Sequence, residues 1–167
     1  MKKIVFALGL ISLLFAGCLK SSDASNSNNC NYDPCAIKAP ASEIANVQAY
    51  LSANNITNAV QHCSGLFYTV DAPGTGATPT VCSNIKVTYV GKFTNGTTFD
   101  SVSTANPLVF NLSQVITGWK SGIPLVKAGG SIHLYIPPTL GYGSNGYGTA
   151  IPPNSILIFR VDLLQVQ

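Results

Sequence analysis

Residues 85–101 read IKVTYVGKFTNGTTFDS. Ile85, Val87, Tyr89, Gly91 and Phe93 alternate with Lys86, Thr88, Val90 and Lys92, the period of two of a half-buried strand. Asn95-Gly96 follows at once. Both residue types tolerate positive φ, so the pair is a strong hairpin signal. The chain should return through Phe99 and Asp100 antiparallel to the first strand. Taken alone, Asp100 reads as a turn cap or a surface charge.

Working outward, the same period recurs. GLFYTV (65–70), PLVFNL (107–112), SIHLYIP (131–137, with Ile132, Leu134 and Ile136 inward) and SILIFRVDLLQV (155–166) all read as strands. The stretch APGTGATPT (72–80) is a turn-rich break. Between residues 63 and 167 only Gln114–Ser121 has room for a helix. Upstream, ASEIANVQAYLSAN (41–54) puts Ile44, Val47 and Leu51 on one helical face. Ser42 is its candidate cap, Glu43 lies in its first turn and Asn54-Asn55 ends it. The expected class is α+β, with five or six antiparallel strands, one short helix and a small helical N-terminal appendage. Periodicity alone does not separate this from a β-sandwich.

Residues 141–155, GYGSNGYGTAIPPNS, combine loose glycines, two tyrosines and a stiff Pro152-Pro153. The combination is unusual, because tyrosine is large and costly to leave disordered.

The N-terminus carries other information. Lys2 and Lys3 precede an apolar run from Ile4 to Phe15, then Ala16, Gly17 and Cys18. This is the order of a signal peptide. The small residues directly before Cys18 resemble the lipobox of bacterial lipoproteins, although Phe15 stands where Leu is usual. The resemblance implies cleavage before Cys18 and a lipid on that cysteine. It also implies a domain anchored in the cell envelope, with Leu19 in the next position pointing to the outer membrane. LKSSDASNSNN (19–29) suits a tether. The expected divisions are a leader at 1–17, a cysteine-bearing tether at 18–40, a helical extension at 41–62 and the main domain at 63–167. Losing the leader removes two of nine basic residues against six acidic ones, so the formal charge falls from +3 to +1. No basic footprint remains for a nucleic-acid partner.

Four further cysteines, Cys30, Cys35, Cys63 and Cys82, suggest disulfides in an exported chain, with three connectivities open. Local proximity favours Cys30 with Cys35 and Cys63 with Cys82. A metal site of Cys30, Cys35, His62 and Cys63 lacks the usual zinc spacing, so no metal is expected. His62 has no evident partner, and His133 lies on the face opposite Ile132 and Leu134. The Asn-x-Ser/Thr triplets at Asn55, Asn95 and Asn111 read as coincidental in a bacterial lipoprotein.

In chain order, the segments VTYVGKFTNGTTFDS, PLVFNL, QVITGW, AGGSIHLYIPPTLGYG and AIPPNSILIFRVDLL resemble FK506-binding-protein type peptidyl-prolyl cis-trans isomerases. The resemblance runs from about Gly65 to Val166. It implies a twisted antiparallel sheet wrapped around a short helix, with an apolar pocket between them. Trp119 would form the floor. Tyr89, Phe99, Val115, Ile116, Tyr142 and Phe159 would form the walls, Ile151 the rim, and Asp100 the single pocket carboxylate. Leu108 and Tyr147 would join the substrate surface, although both depart from frequent choices in the family. The Ile116 backbone N–H and the Tyr142 hydroxyl would take peptide carbonyls, and Asp100 would orient Tyr89.

The implied activity is rotation about X-Pro bonds in exported proteins, performed by a monomer without a cofactor. Its substrates are proline-containing polypeptides, and FK506-like macrolides are possible ligands. The alternatives are a non-catalytic holdase on the same fold and a structural surface lipoprotein with a β-sandwich. No Ser-His-Asp set, carboxylate pair or phosphate loop competes with these readings.

Overall fold

The computed structural model describes residues 30–167. The leader, Cys18 and the first part of the tether lie outside the described residues. No described helix is long and apolar enough to cross a membrane.

The chain forms helix α1 (Ala41–Ala53), then strands β1 (Val60–Gln61), β2 (Phe67–Ala72), β3 (Asn84–Lys92), β4 (Thr98–Val102) and β5 (Leu108–Asn111). Helix α2 (Thr117–Gly122), β6 (Gly130–Ile136) and β7 (Leu157–Val166) complete it. All pairings are antiparallel, in the order β1-β2-β6-β7-β3-β4, with β5 also on β3. The sheet therefore has seven strands rather than five or six. One extra is the two-residue β1, which pairs with β2 from inside the segment expected to be the helical extension. The main sheet thus begins before residue 63.

The 85–101 stretch folds as its period dictates. β3 pairs with β7 along one edge; along the other, its first half meets β5 and its second half β4. Gly96 takes φ 85° in the turn, and the Asn95 side chain accepts from the Thr97 N–H at 2.9 Å. Ile85, Val87 and Tyr89 are buried on the concave face. Thr88, on the other face, is also buried, and its hydroxyl donates to Asp162 at 3.2 Å.

The concave face holds α2 and the main core. Two glycines let the helix lie close: a Cβ at Gly118 would fall 2.7 Å from the Ile136 side chain, and one at Gly122 would strike Leu134. The expected single helix over 114–121 is instead a 3-10 turn (Leu112–Gln114), then extended Val115 and Ile116, then α2. That break turns two apolar residues toward the space above the sheet.

α1 covers part of the opposite face, where Val47 and Leu51 pack on Phe67 and Tyr135. β6 is consequently buried on both faces except at His133. Pro40, not Ser42, stands at the N-cap of α1, and no side chain caps it. Glu43 instead accepts from the Thr139 backbone N–H (2.9 Å) and hydroxyl (2.8 Å). Farther along the same face, Asp71 contacts His133 at 3.0 Å and Arg160 at 3.7 Å, and Arg160 pairs with Asp162 at 2.9 Å.

The cysteines pair as Cys30–Cys82 and Cys35–Cys63, with Cα separations of 5.6 and 5.5 Å, within disulfide range. This corrects the pairing expected from local proximity. The segment before α1 crosses the domain, and the Ala39 N–H binds the Ser64 carbonyl at 2.8 Å, bringing Cys35 to Cys63. His62 also has a partner, contrary to the sequence reading: its Nδ1 lies 2.9 Å from the Ser64 hydroxyl, and its ring touches Cys63 Sγ at 3.6 Å. Cys35, His62 and Cys63 cluster closely enough to suggest metal ligands, but both sulfurs are committed to the disulfide.

Candidate functional site

Above the aromatic end of the core lies a cavity of about 570 Å³. α2 supplies its floor. Trp119 is 4% exposed and meets Tyr89, Phe159 and Phe110 edge-on or nearly so, at centroid distances of 5.2, 5.3 and 5.9 Å. Edge-to-face packing of this kind is favourable beyond plain area burial. The Trp119 indole Nε1 is buried with no hydrogen-bond partner among the described residues. A desolvated donor costs about 1–3 kcal/mol when left unpaired, and the surrounding ring faces are at most weak acceptors.

A β-bulge shapes one wall. In the β3–β4 ladder Asp100 pairs with Gly91 but Thr98 pairs with Lys92, which leaves Phe99 as the extra residue. Successive residues on a regular strand face opposite ways, whereas a bulge re-aims one of them. Phe99 and Asp100 both line the cavity as a result. Gly91 makes room for this: a Cβ there would lie 2.7 Å from the Phe99 ring and 2.9 Å from that of Phe159.

The Tyr89 hydroxyl donates to Asp100 at 2.6 Å. Burial, then the hydrogen bond to Asp100 and its charge, push the Tyr89 hydroxyl well above the ordinary tyrosine range. Tyr89 therefore remains a neutral donor. Burial also raises Tyr142, with smaller contributions from Tyr147 and Asp100.

The loop after β6 forms the far wall. Tyr142 and Tyr147 face each other at 5.2 Å. Tyr147 and Ile151 exchange backbone hydrogen bonds at 2.8 and 3.1 Å, and the Asn154 N–H reaches the Gly143 carbonyl at 2.9 Å. The glycine-rich loop is thus stitched to itself rather than loose. Tyr147 remains 63% exposed, while Ile151 is buried.

The cavity gathers Tyr89, Phe99, Asp100, Val115, Ile116, Trp119, Tyr142, Tyr147, Ile151 and Phe159, all expected from the sequence. Leu108 does not join them. It lies 45% exposed at the start of β5, opposite Val87. Phe110, two residues on, takes the place at the wall beside Tyr89 and Trp119. It was within reach of the strand period, which puts it on the same face as Leu108. Gln114 also lines the cavity, at the position where the family resemblance implies a backbone-carbonyl contact; Ala150 lines it too, and its residue type carries no signal for that. His133 is half-buried on the opposite face of the sheet, beside Asp71.

The N-terminal segment and α1 brace the floor and the far wall from behind. Tyr32 and Ser121 of α2 share a hydrogen bond at 3.2 Å, and Ser121 donates to the Pro34 carbonyl at 3.3 Å. Glu43 holds Thr139, three residues before Tyr142.

Comparison with known proteins agrees with this geometry. Residues 76–164 match the family described as FKBP-type peptidyl-prolyl cis-trans isomerase. A probable FKBP-type peptidyl-prolyl cis-trans isomerase of Haemophilus influenzae is 50% identical over 104 residues, covering 62% of this chain and 43% of that protein. The outer membrane protein MIP of Legionella longbeachae is 39% identical over 121 residues, covering 71% of this chain and 52% of the relative. The chain thus spans about half the length of these curated relatives. A solved peptidyl-prolyl cis-trans isomerase from Pseudomonas syringae superposes with a TM-score of 0.66 at 30% identity, covering 78% of this chain and 98% of that structure. With the family's pattern matched over more than half of this chain and its fold reproduced in a solved isomerase, this chain belongs to the FKBP-type peptidyl-prolyl cis-trans isomerase family.

Proposed function

We propose that the cavity binds the proline ring of a polypeptide and lowers the barrier to rotation about the preceding peptide bond. The observation that carries this is the pairing of an enclosed aromatic floor at Trp119 with one carboxylate, Asp100, held on the Tyr89 hydroxyl. Rotation about an X-Pro bond faces a barrier of about 18–20 kcal/mol because amide resonance is lost in the twisted state. No bond is made or broken, so neither nucleophile nor cofactor is required.

An apolar pocket helps in two ways. Burial holds the proline in place, and desolvation of a carbonyl whose polarity falls as the amide twists favours the twisted state. The Ile116 N–H, at the N-cap of α2 and outside the helix's own ladder, would donate to a peptide carbonyl. Tyr142, neutral and at the pocket wall, supplies a second donor. Asp100 orients Tyr89 and sets the field over the twisting carbonyl without transferring a proton.

The reading extends to exported proline-containing polypeptides as clients, with an FK506-like macrolide able to occupy the same apolar site. It places the domain in the cell envelope, held by a lipid on Cys18. The signal-like N-terminus and the relative named as an outer membrane protein support that location. The holdase alternative rests on an altered rim at Leu108 and Tyr147; Leu108 stands outside the cavity, whereas Tyr147 lines it.

The test is isomerisation of a panel of short X-Pro peptides by the full-length protein, beside Asp100→Ala and Tyr142→Phe. Acceleration that drops about tenfold or more in the variants is expected. Well-folded protein that accelerates none of the peptides overturns the reading.

A further inference from the structure

A second cavity, of about 450 Å³, lies beyond the Phe99 wall of the first. Phe93, Asn95 and Thr97 of the β3–β4 hairpin form one side, and Pro152, Asn154 and Ile156, leading into β7, form the other. The two cavities share a partition. Phe99 lines the first, its ring packs on Phe93 at 4.8 Å, and Phe93 lines the second. On the opposite side, Ile151 ends the wall of one and Pro152 begins the wall of the next. The aromatic row Trp119–Phe159–Phe99–Phe93 thus runs from one cavity to the other with ring spacings of 5.3, 5.4 and 4.8 Å. Phe99 and Phe93 are only half-buried, so the partition is a low sill whose rings reach solvent.

We propose that this second cavity is a subsite for the same client chain. It would take an apolar side chain near the proline and thereby select extended, unfolded polypeptide over isolated X-Pro units. The inference rests on the reading of the first cavity as the proline site. Every residue lining the second cavity is uncharged, which argues against a charged ligand. Phe93, Pro152 and Ile156 offer apolar surface, while Thr97 and Asn154 offer hydrogen-bonding groups to a passing backbone. Ring by ring, the row from Phe159 to Phe93 covers at most about 10 Å, within the span of about three extended residues. The occupant is therefore a side chain about three residues from the proline, reached across the sill.

The experiment compares three peptide classes on the full-length protein. One is a short X-Pro peptide. The second is extended by four residues carrying Leu at the third, on the N-terminal or the C-terminal side. The third has Ser in place of that Leu. Isomerisation gives KM and kcat, and titration of Trp119 fluorescence gives Kd for the same peptides.

The Leu extension on one side should lower KM and Kd about fivefold or more with kcat unchanged, and the Ser extension should not. Thr97→Phe and, separately, Ser155→Leu should abolish the gain while leaving the short peptide's constants as they were. A Leu extension that gains nothing on either side overturns the proposal, as does a gain that survives both filling variants. Loss of turnover on every peptide, with the Leu-dependent gain in Kd kept, would sink the isomerase reading and leave the subsite standing.

Discussion

Asp100 is exposed by its position on an end strand, yet it receives the Tyr89 hydroxyl at 2.6 Å and faces the cavity. Replacing it with Ala removes both the field over the pocket and the partner that orients Tyr89. Asp100→Ala should lower kcat/KM by about 10- to 100-fold, a loss of roughly 1.4–2.7 kcal/mol of transition-state stabilisation. Tyr89→Phe should cost less, and the double variant should cost less than the sum because the two share one contact. A peptide-isomerisation cycle measures this directly.

The tyrosines also fix an expected pH dependence. Tyr89 and Tyr142 are both raised above the ordinary value of 10.0, first by burial. A group raised in the folded state contributes stability that is full below its unfolded value and is lost as pH climbs past it. Melting temperature should therefore fall above about pH 10, and less steeply in Tyr89→Phe. His62 works in the opposite sense. Burial lowers it from 6.5, so the folded state resists a proton that the unfolded chain accepts. Its contribution is present above pH 6.5 and is lost as pH falls below it, and His62→Gln should flatten that acid limb in thermal melts.

At the scale of elements, the height of the pocket floor depends on how closely α2 approaches β6. Gly118 faces Ile136 with no space for a methyl group. Gly118→Ala should destabilise the fold by about 1–3 kcal/mol through overpacking. It should also lower activity by lifting Trp119, read together by denaturant unfolding and Trp119 fluorescence. Glu43 acts on another element from outside the sheet. Two hydrogen bonds tie it to Thr139 at the root of the Tyr142 loop. Glu43→Ala should cost about 1 kcal/mol or less in stability, since the contact is exposed. Hydrogen exchange should nonetheless rise in residues 139–148. Unchanged exchange there would show that the loop's own hydrogen bonds suffice.

For the whole molecule, the two disulfides bind the segment before α1 to the turns that precede β3 and β2, across loops of 52 and 28 residues. Chain entropy alone gives about 4 kcal/mol for the longer closure and about 3.5 kcal/mol for the shorter. Cys30→Ser with Cys82→Ser should therefore lower unfolding free energy at least as much as Cys35→Ser with Cys63→Ser. Both pairs of changes should leave residues 63–167 folded, because the main core lies almost wholly there. Urea unfolding followed by Trp119 fluorescence decides between local loss and global collapse.

Period-two alternation and the Asn95-Gly96 turn were enough to determine β3, the hairpin, β6 and β7, because strand faces and turn dihedrals are local properties of the chain. The ordered segments also identified ten of the residues around the cavity, since they lie on those strands, on α2 and on the loop after β6. Four features depended on contacts between distant parts of the chain. The bulge at Phe99 needs a partner strand, and Leu108 loses its place to Phe110 because only Phe110 reaches Tyr89 and Trp119. Ser42 does not cap α1, while Glu43 finds its partner 96 residues away. The cysteines pair across the domain because the chain's path, not sequence spacing, sets which Cα atoms approach within about 6 Å.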